Sequence, residues 1–539
     1  MPRRWEDIGA SKRKKLLESI PKEWLIPEDI KPPDSQLNVV DFPERSGWFT
    51  KKELEITNTS ATDLVRKLAK GEWSSEEVTL AFCKRASVAH QLVNCLSETM
   101  FDFALETARS RDKHLRQTGK PIGPLHGLPV SIKDCFDLVG VDSSIGFSSR
   151  VDKPAKHNAA VVDIMLNAGA VLYVKTNVPT AMMMLETVNN VTGRTLNPLN
   201  RDLTPGGSSG GESALIAFAG SPLGIGGDVA GSLRIPAACT GIFTLKPSAG
   251  RFPIIGCASG LPGQEAVQAV TGPLARSLQD CFLFSEAVAA AEPWKLDTKT
   301  LPIPWHAVEH KRKLKLGVMW TDGIVTPTPP IRRALEQTVT KLEAAGHEIL
   351  DWQPEGHLKG LQLFRQIISA DGGKSLRKDL EPTQEPFRPE QQLWENASEL
   401  GVYELWQIHQ GRDDLCQQYF NRWTAAGIDG ILCPTTPYAS VGHGGLRYLG
   451  YTAIFNLLDY SSISFPCGLA ANKDLDRAPT DYTPLNDFDT QVQGSYNADS
   501  VDGMPLSLQI VAQKLEDEKV FTMARTILEV LRPRPTSFI

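Results

Sequence analysis

Short apolar runs alternate along this chain with amphipathic stretches of helical length, and that alternation constrains the fold more than any other feature. Residues 130–132 (Val-Ser-Ile) read as a strand, 159–167 as a helix closed near Gly169, and 170–174 as the next strand. A second unit follows downstream: strand 316–320, a helix over 330–345 with proline at its start and Gly346 past its end, then strand 348–352. Such repetition implies an α/β protein built on a sheet. Runs 430–433 and 506–511 return to strand character, so the C-terminal part is expected to rejoin the first sheet. Residues 354–389 are polar and lack strand periodicity, and 474–503 read as a surface loop.

Helix starts are signalled by Ser60-x-x-Asp63 and Ser74-x-x-Glu77, each ahead of apolar residues at helical spacing. The first fifty residues are charged and proline-rich, with a short helix predicted over 12–20 and ended by Pro21. We therefore divide the chain into an N-terminal helical or extended wrapping segment, 1–59, and one large unit, 60–539.

Composition narrows the function classes. A chain of 539 residues, 41% hydrophobic, has ample material for an extensive core. Lys plus Arg total 57 against 63 Asp plus Glu, interspersed, so no basic face points to nucleic acid or an anionic membrane; a small uncharged partner fits better. The nine cysteines are scattered and never spaced as CxxC, which argues against a disulfide framework or a zinc site. Residues 1–7 run into Lys12-Arg13-Lys14-Lys15 without the apolar core of a signal peptide, so a cytoplasmic location is expected. The most apolar run, 213–227, is interrupted by Gly220, Pro222 and Gly224, and no membrane span is expected.

The unusual chemistry lies in two serine loops. Thr204-Pro205-Gly206-Gly207-Ser208-Ser209-Gly210-Gly211-Glu212 leads into a run of small residues, a glycine-rich loop entering a tightly packed helix. Amides near such a helix start can face an anion or a developing oxyanion; the plainer reading is a packing loop. A second loop, Gly226-Gly227-Asp228-Val229-Ala230-Gly231-Ser232-Leu233-Arg234-Ile235-Pro236, again puts a serine after flexible backbone. Residues 206–210 match G-x-S-x-G, but the nucleophile elbow needs a buried strand just before it, and 197–205 are turn-rich and polar. The ten histidines neither cluster nor form HExxH, so another base must serve. Lys133, carried in by the apolar run 128–132, can lose its proton through desolvation; the alternative is a lysine paired with an acid such as Asp134.

Taken together, these segments resemble the amidase signature family. The carrying residues are Lys133 in Gly127-Leu128-Pro129-Val130-Ser131-Ile132-Lys133-Asp134, Ser208 in the glycine loop and Ser232 in the second loop, 24 positions further on. The likeness runs from about Ser60 to the C-terminus and is densest over 123–276, the signature core; about 300–425 is variable. Residues 78–85 and 186–190 further resemble the fungal acetamidase-like general amidases. The resemblance implies an amidase signature fold, a large mixed, twisted central β-sheet flanked by helices on both faces.

It also implies amide hydrolysis through a Ser232 acyl-enzyme, with Ser208 relaying a proton to neutral Lys133 and a cis peptide between Gly207 and Ser208. Lys133 would then need its pKa lowered from about 10.4 to roughly 7 to 8. Backbone amides of Val229, Ala230, Gly231 and Ser232 would form the oxyanion hole, and Ser209 and Met184 would border the substrate. Many relatives carry Gly-Gly where this chain has Ala230-Gly231, so the loop must tolerate a Cβ at Ala230. Asp228 and Arg234 bracket the nucleophile, as a loop-holding pair or a plain structural salt bridge. The methionines 182–184 are read equally as acyl pocket or as core. No cofactor or metal is implied; the partner is a small-molecule amide, and a homodimer is possible. The other function classes are a non-catalytic amidase-fold binding module, expected to lose one of the triad residues, and an amidotransferase subunit acting in a complex.

Overall fold

The computed structural model describes residues 3–531; the ends of the two expected segments, 1–2 and 532–539, lie outside the described residues. Thirteen strands are found there: β1 (Leu96–Thr99), β2 (Pro129–Lys133), β3 (Val171–Thr176), β4 (Val188–Asn189), β5 (Gly193–Arg194), β6 (Leu223–Asp228), β7 (Phe243–Lys246), β8 (Val270–Ala275), β9 (Lys315–Val318), β10 (Glu348–Asp351), β11 (Gly430–Pro434), β12 (Ser462–Ala470) and β13 (Pro505–Val511). Eleven form one mixed sheet in the order β1-β3-β2-β6-β8-β7-β12-β13-β11-β9-β10, flanked by helices; β4 and β5 pair separately.

Both expected strand–helix–strand units are present. β2 and β3 run parallel, joined through the helix Ala160–Asn167, and β9 and β10 run parallel around the helix Pro329–Ala344. β2 and β3 are buried at every position, which explains their near-continuous apolar sequence: a parallel strand covered on both faces has no solvent side to mark with polar residues. The C-terminal part rejoins the sheet as anticipated, with β12 against β7 and β13 between β12 and β11.

β2 also runs parallel to β6, with Ser131 opposite Gly224 and Ile132 opposite Ile225. Parallel neighbours end at the same edge of a sheet, so Lys133 and the loop after Asp228 emerge side by side. The glycine loop is brought to that edge by the helix Gly210–Ala217. The Gly211 N–H donates to the Asn177 carbonyl at 3.2 Å, and a Cβ on Gly211 would run into the Asn177 backbone and the Cys95 carbonyl. Only glycine lets this helix start press so close to the end of β3.

The capping signals were correct: Ser60 accepts from Asp63 N–H and Ser74 from Glu77 N–H, opening helices Ala61–Ala69 and Ser75–Val93. Two readings need correction. The first helix is Trp5–Glu18, starting well before residue 12; Lys12 lies inside it, buried and ion-paired with Asp142 at 3.1 Å and with Glu98. Residues 474–503 are not all loop, since Asn486 accepts from Phe488 and Asp489 N–H and opens the helix Asp487–Gly494. That stretch is anchored by polar contacts, Asp489 accepting from Thr326 N–H at 3.0 Å, so it lacks the apolar periodicity by which a helix is read. Among the described residues, no helix is long and apolar enough to cross a membrane.

Gly211→Ala is expected to destabilise the fold by about 1 to 3 kcal/mol through overpacking against rigid backbone. Urea unfolding of the variant beside the parent checks this; an unchanged midpoint would mean that the helix start can retreat from β3.

Candidate active site

Side chains alternate along β2, so Ser131 and Lys133 share one face and Asp134 takes the other. Lys133 is 1% exposed, and its Nζ donates to Ser208 Oγ at 2.8 Å and to the Gly227 carbonyl at 3.4 Å. The acid next to it is engaged elsewhere: Asp134 accepts from Ser97 Oγ at 2.7 Å, Ser144 Oγ at 3.2 Å and Ile145 N–H at 2.6 Å. Lys133 therefore has no ion-pair partner among the described residues, which removes the reading of it as Asp134's counter-ion. Burial lowers its pKa from the ordinary lysine value, against a smaller upward pull from the surrounding thiols and from Asp228 and Glu212.

Ser208 is buried, and the Gly207–Ser208 peptide is cis. Thr187 holds this loop on two sides, its Oγ1 donating to the Gly206 carbonyl at 2.9 Å and accepting from Gly210 N–H at 3.1 Å. The Leu185–Glu186 backbone lies against Gly207, and Met184, the residue before it, is buried. Ser209 joins the two loops: its N–H donates to the Ser232 carbonyl at 3.2 Å and its Oγ lies 3.5 Å from the Gly227 carbonyl. Residues 131–133, 207–209 and 227–232 thus converge at one edge of the sheet. Ser232 is buried, 6% exposed.

The second loop is set by Asp228 and Arg234, both fully buried. Arg234 donates through Nε and Nη2 to the two carboxylate oxygens, each at 3.1 Å, and Asn456 Nδ2 donates to Oδ1 at 2.9 Å. Burial alone would raise the Asp228 pKa, but the Arg234 guanidinium outweighs it and holds the carboxyl well below the usual carboxylate range. The same carboxylate accepts from Gly231 N–H at 2.8 Å and Leu233 N–H at 3.1 Å. The N–H groups of Val229, Ala230 and Ser232 donate to no protein acceptor among the described residues. Ala230 keeps an ordinary backbone, whereas Gly231 has φ +129°, where a Cβ would strike Thr452 and Ile235. The departure at Ala230 therefore falls on the position of the pair that accepts a side chain.

Sequence reasoning gave no role to Glu212, Thr452, Asn456 or Gln509. Glu212, in the first turn of its helix, reads as a helix-start acid. It is in fact fully buried, accepting from Thr176 Oγ1 at 2.5 Å and from Ser131, and burial pushes its pKa up to about 7. Asn456 and Gln509 carry no motif; both hydrogen-bond Arg234 from the C-terminal part, at 2.6 and 3.3 Å. A buried amine bonded to a hydroxyl, with free backbone donors beside a second serine, is an arrangement suited to acyl transfer.

A family model described as Amidase matches residues 77–521. The acetamidase of Emericella nidulans is 39% identical over 547 aligned residues, covering 98% of this chain and 99% of the relative. The acetamidase of Aspergillus oryzae is 38% identical, with 98% and 99% covered. Among solved structures, a fatty acid amide hydrolase matches with a TM-score of 0.94 at 33% identity, covering 98% of this chain and 95% of that one. A 6-aminohexanoate cyclic dimer hydrolase, at 23% identity and a TM-score of 0.73, shares the fold over 88% of this chain and 98% of its own.

Arg234→Met leaves the Asp228 carboxylate buried and unpaired, and is expected to cost about 3 to 5 kcal/mol. The stability due to this pair is fully present above the unfolded carboxylate pKa of about 3.9 and is lost as pH falls toward the lowered folded value. Urea unfolding at pH 7 checks the substitution; a loss under about 1 kcal/mol would show that Asn456 and the backbone donors suffice to hold the charge.

Proposed function

The chain belongs to the amidase family and is an amide hydrolase, and from that premise we propose that it cleaves small linear carboxamides through a Ser232 acyl-enzyme, with Ser208 and Lys133 as the proton relay. The observation that carries this reading is the 2.8 Å hydrogen bond between Ser208 Oγ and a buried Lys133 that has no counter-ion among the described residues. The lowered pKa supports a lysine that can be neutral and act as a base near the working pH.

In the proposed reaction, Ser232 Oγ attacks the amide carbon while its proton passes to Ser208 and the Ser208 proton passes to Lys133 Nζ. The oxyanion so formed is held by the N–H groups of Val229, Ala230 and Ser232. The fourth expected donor, Gly231 N–H, already has an acceptor in Asp228. Collapse breaks the C–N bond as the relay runs backwards and protonates the leaving nitrogen, releasing ammonia or an amine. Water, deprotonated through the same relay, then attacks the ester and releases the carboxylic acid and free Ser232. Met184 and Ser209 are proposed to border the acyl group. The named relatives at 38–39% identity favour a small acyl group, and the near-balanced charge fits a neutral substrate in the cytoplasm.

Ammonia release from acetamide, propionamide, benzamide and a long-chain amide tests the reading. Ser232→Ala is expected to lose on the order of 1000-fold or more in kcat while staying folded, and Lys133→Ala nearly as much, because relay members act as a unit. Retained turnover in folded Ser232→Ala would overturn it. The pH profile gives a second check. Since only neutral Lys133 accepts a proton, kcat/KM is expected to fall as pH drops through an inflection below the ordinary lysine value of about 10.4. A flat profile across that range would remove Lys133 as the base.

A further inference from the structure

The Ala230–Gly231 peptide is held at both ends. Thr452 Oγ1, on the helix Gly450–Leu457, donates to the Ala230 carbonyl at 2.6 Å and lies 3.0 Å from the Leu449 carbonyl of its own helix. On the opposite side, the Gly231 N–H donates to Asp228 Oδ1 at 2.8 Å. The C=O and N–H of a trans peptide point in opposite directions, so these two bonds together fix the rotation of the plane. The next plane is fixed as well, because the Gly231 carbonyl accepts from Ile235 N–H at 2.8 Å, which turns the Ser232 N–H the other way.

Without such bonds this is the place where the loop would drift. Gly231 sits at φ +129°, and glycine crosses between backbone regions more readily than any other residue. Thr452 also fills the space that a Cβ on Gly231 would occupy, so its hydroxyl is pressed against the one flexible joint of the loop. Four residues on, Asn456 from the same helix face donates to Asp228, the acceptor at the other end of the clamp. Thr452 itself is fully buried.

We propose that Thr452 is a positioning residue: with Asp228 it clamps the Ala230–Gly231 peptide, and so keeps the Ala230 and Ser232 N–H groups on either side converged on one point. The inference rests on the oxyanion hole proposed above. A loosened plane leaves substrate binding intact and weakens only the grip on the tetrahedral oxyanion, whose alignment is sensitive to displacements of the order of an ångström.

The test is Thr452→Val, which keeps the shape and removes the donor. With the amide turned over fastest by the parent, kcat is expected to fall about 10- to 100-fold while KM changes less than about threefold. Thr452→Ser is expected to recover most of the loss. An alkyl trifluoromethyl ketone, which adds a serine to form a tetrahedral oxyanion, is expected to bind more weakly to the valine variant by a similar factor. Parent-like kcat in folded Thr452→Val, or equal losses in the valine and serine variants, would overturn the clamp. Should the valine variant not fold, Thr452→Ala supplies the same comparison with no added bulk. Turnover that depends on Ser232 yet ignores Thr452 sinks the clamp alone, whereas turnover that survives Ser232→Ala sinks the acyl-enzyme reading itself.

Discussion

The rest of the site depends on the buried pair between Asp228 and Arg234. Both charges are out of contact with solvent, so each needs the other together with further donors and acceptors to be tolerated there. Those partners come from four places: the loop that Asp228 begins, the helix Arg234–Thr240, the helix Gly450–Leu457 through Asn456, and β13 through Gln509. Gln509 in turn donates to the Pro434 carbonyl at the end of β11 and to the Tyr451 carbonyl. A pair that must be satisfied in this way fixes the relative placement of segments nearly three hundred residues apart. The loop that carries Ser232 inherits its shape from that requirement.

Around Lys133 the electrostatics run the other way. Arg234 holds the Asp228 carboxyl well below the usual carboxylate range, whereas burial lowers the Lys133 pKa and raises that of Glu212 to about 7, favouring the neutral form of each. The lysine meets a hydroxyl and a carbonyl, and the glutamate meets two hydroxyls, Ser131 and Thr176. Ser131 and Lys133 are two positions apart on one strand, so one strand face meets the Glu212 carboxyl and carries the Lys133 amine, each biased by burial toward its neutral form.

Much of the fold was legible because the parallel strands are short, buried and separated by capped helices. The two serine loops stood out in the sequence because local chain geometry demands their glycines: those around Ser208, where Gly211 meets the backbone at the end of β3, and Gly231 at its positive φ. What escaped was whatever is held by polar partners distant in sequence. The helix after Asn486 has too little apolar periodicity to be seen, and Lys12 gives no sign in the sequence of its buried acids. Thr452, Asn456 and Gln509 lie in ordinary helix and strand segments with no motif, and only the folded sheet brings them to Asp228 and Arg234. The bond from Gly231 N–H to Asp228 was hidden for the same reason, since nothing in a run of amides says which of them an acid already holds.

The order of strands in the sheet differs from their order in the chain, and this bears on how the molecule is made. Until β12 and β13 arrive, the sheet exists as two pieces, β1-β3-β2-β6-β8-β7 with β7 at an open edge and β11-β9-β10 with β11 at another. Open strand edges are templates for mispairing. β12 and β13 close both edges at once and bring Gln509 with them, so Lys133, Ser208 and Ser232, all far earlier in the chain, receive their full support only after these later strands are in place.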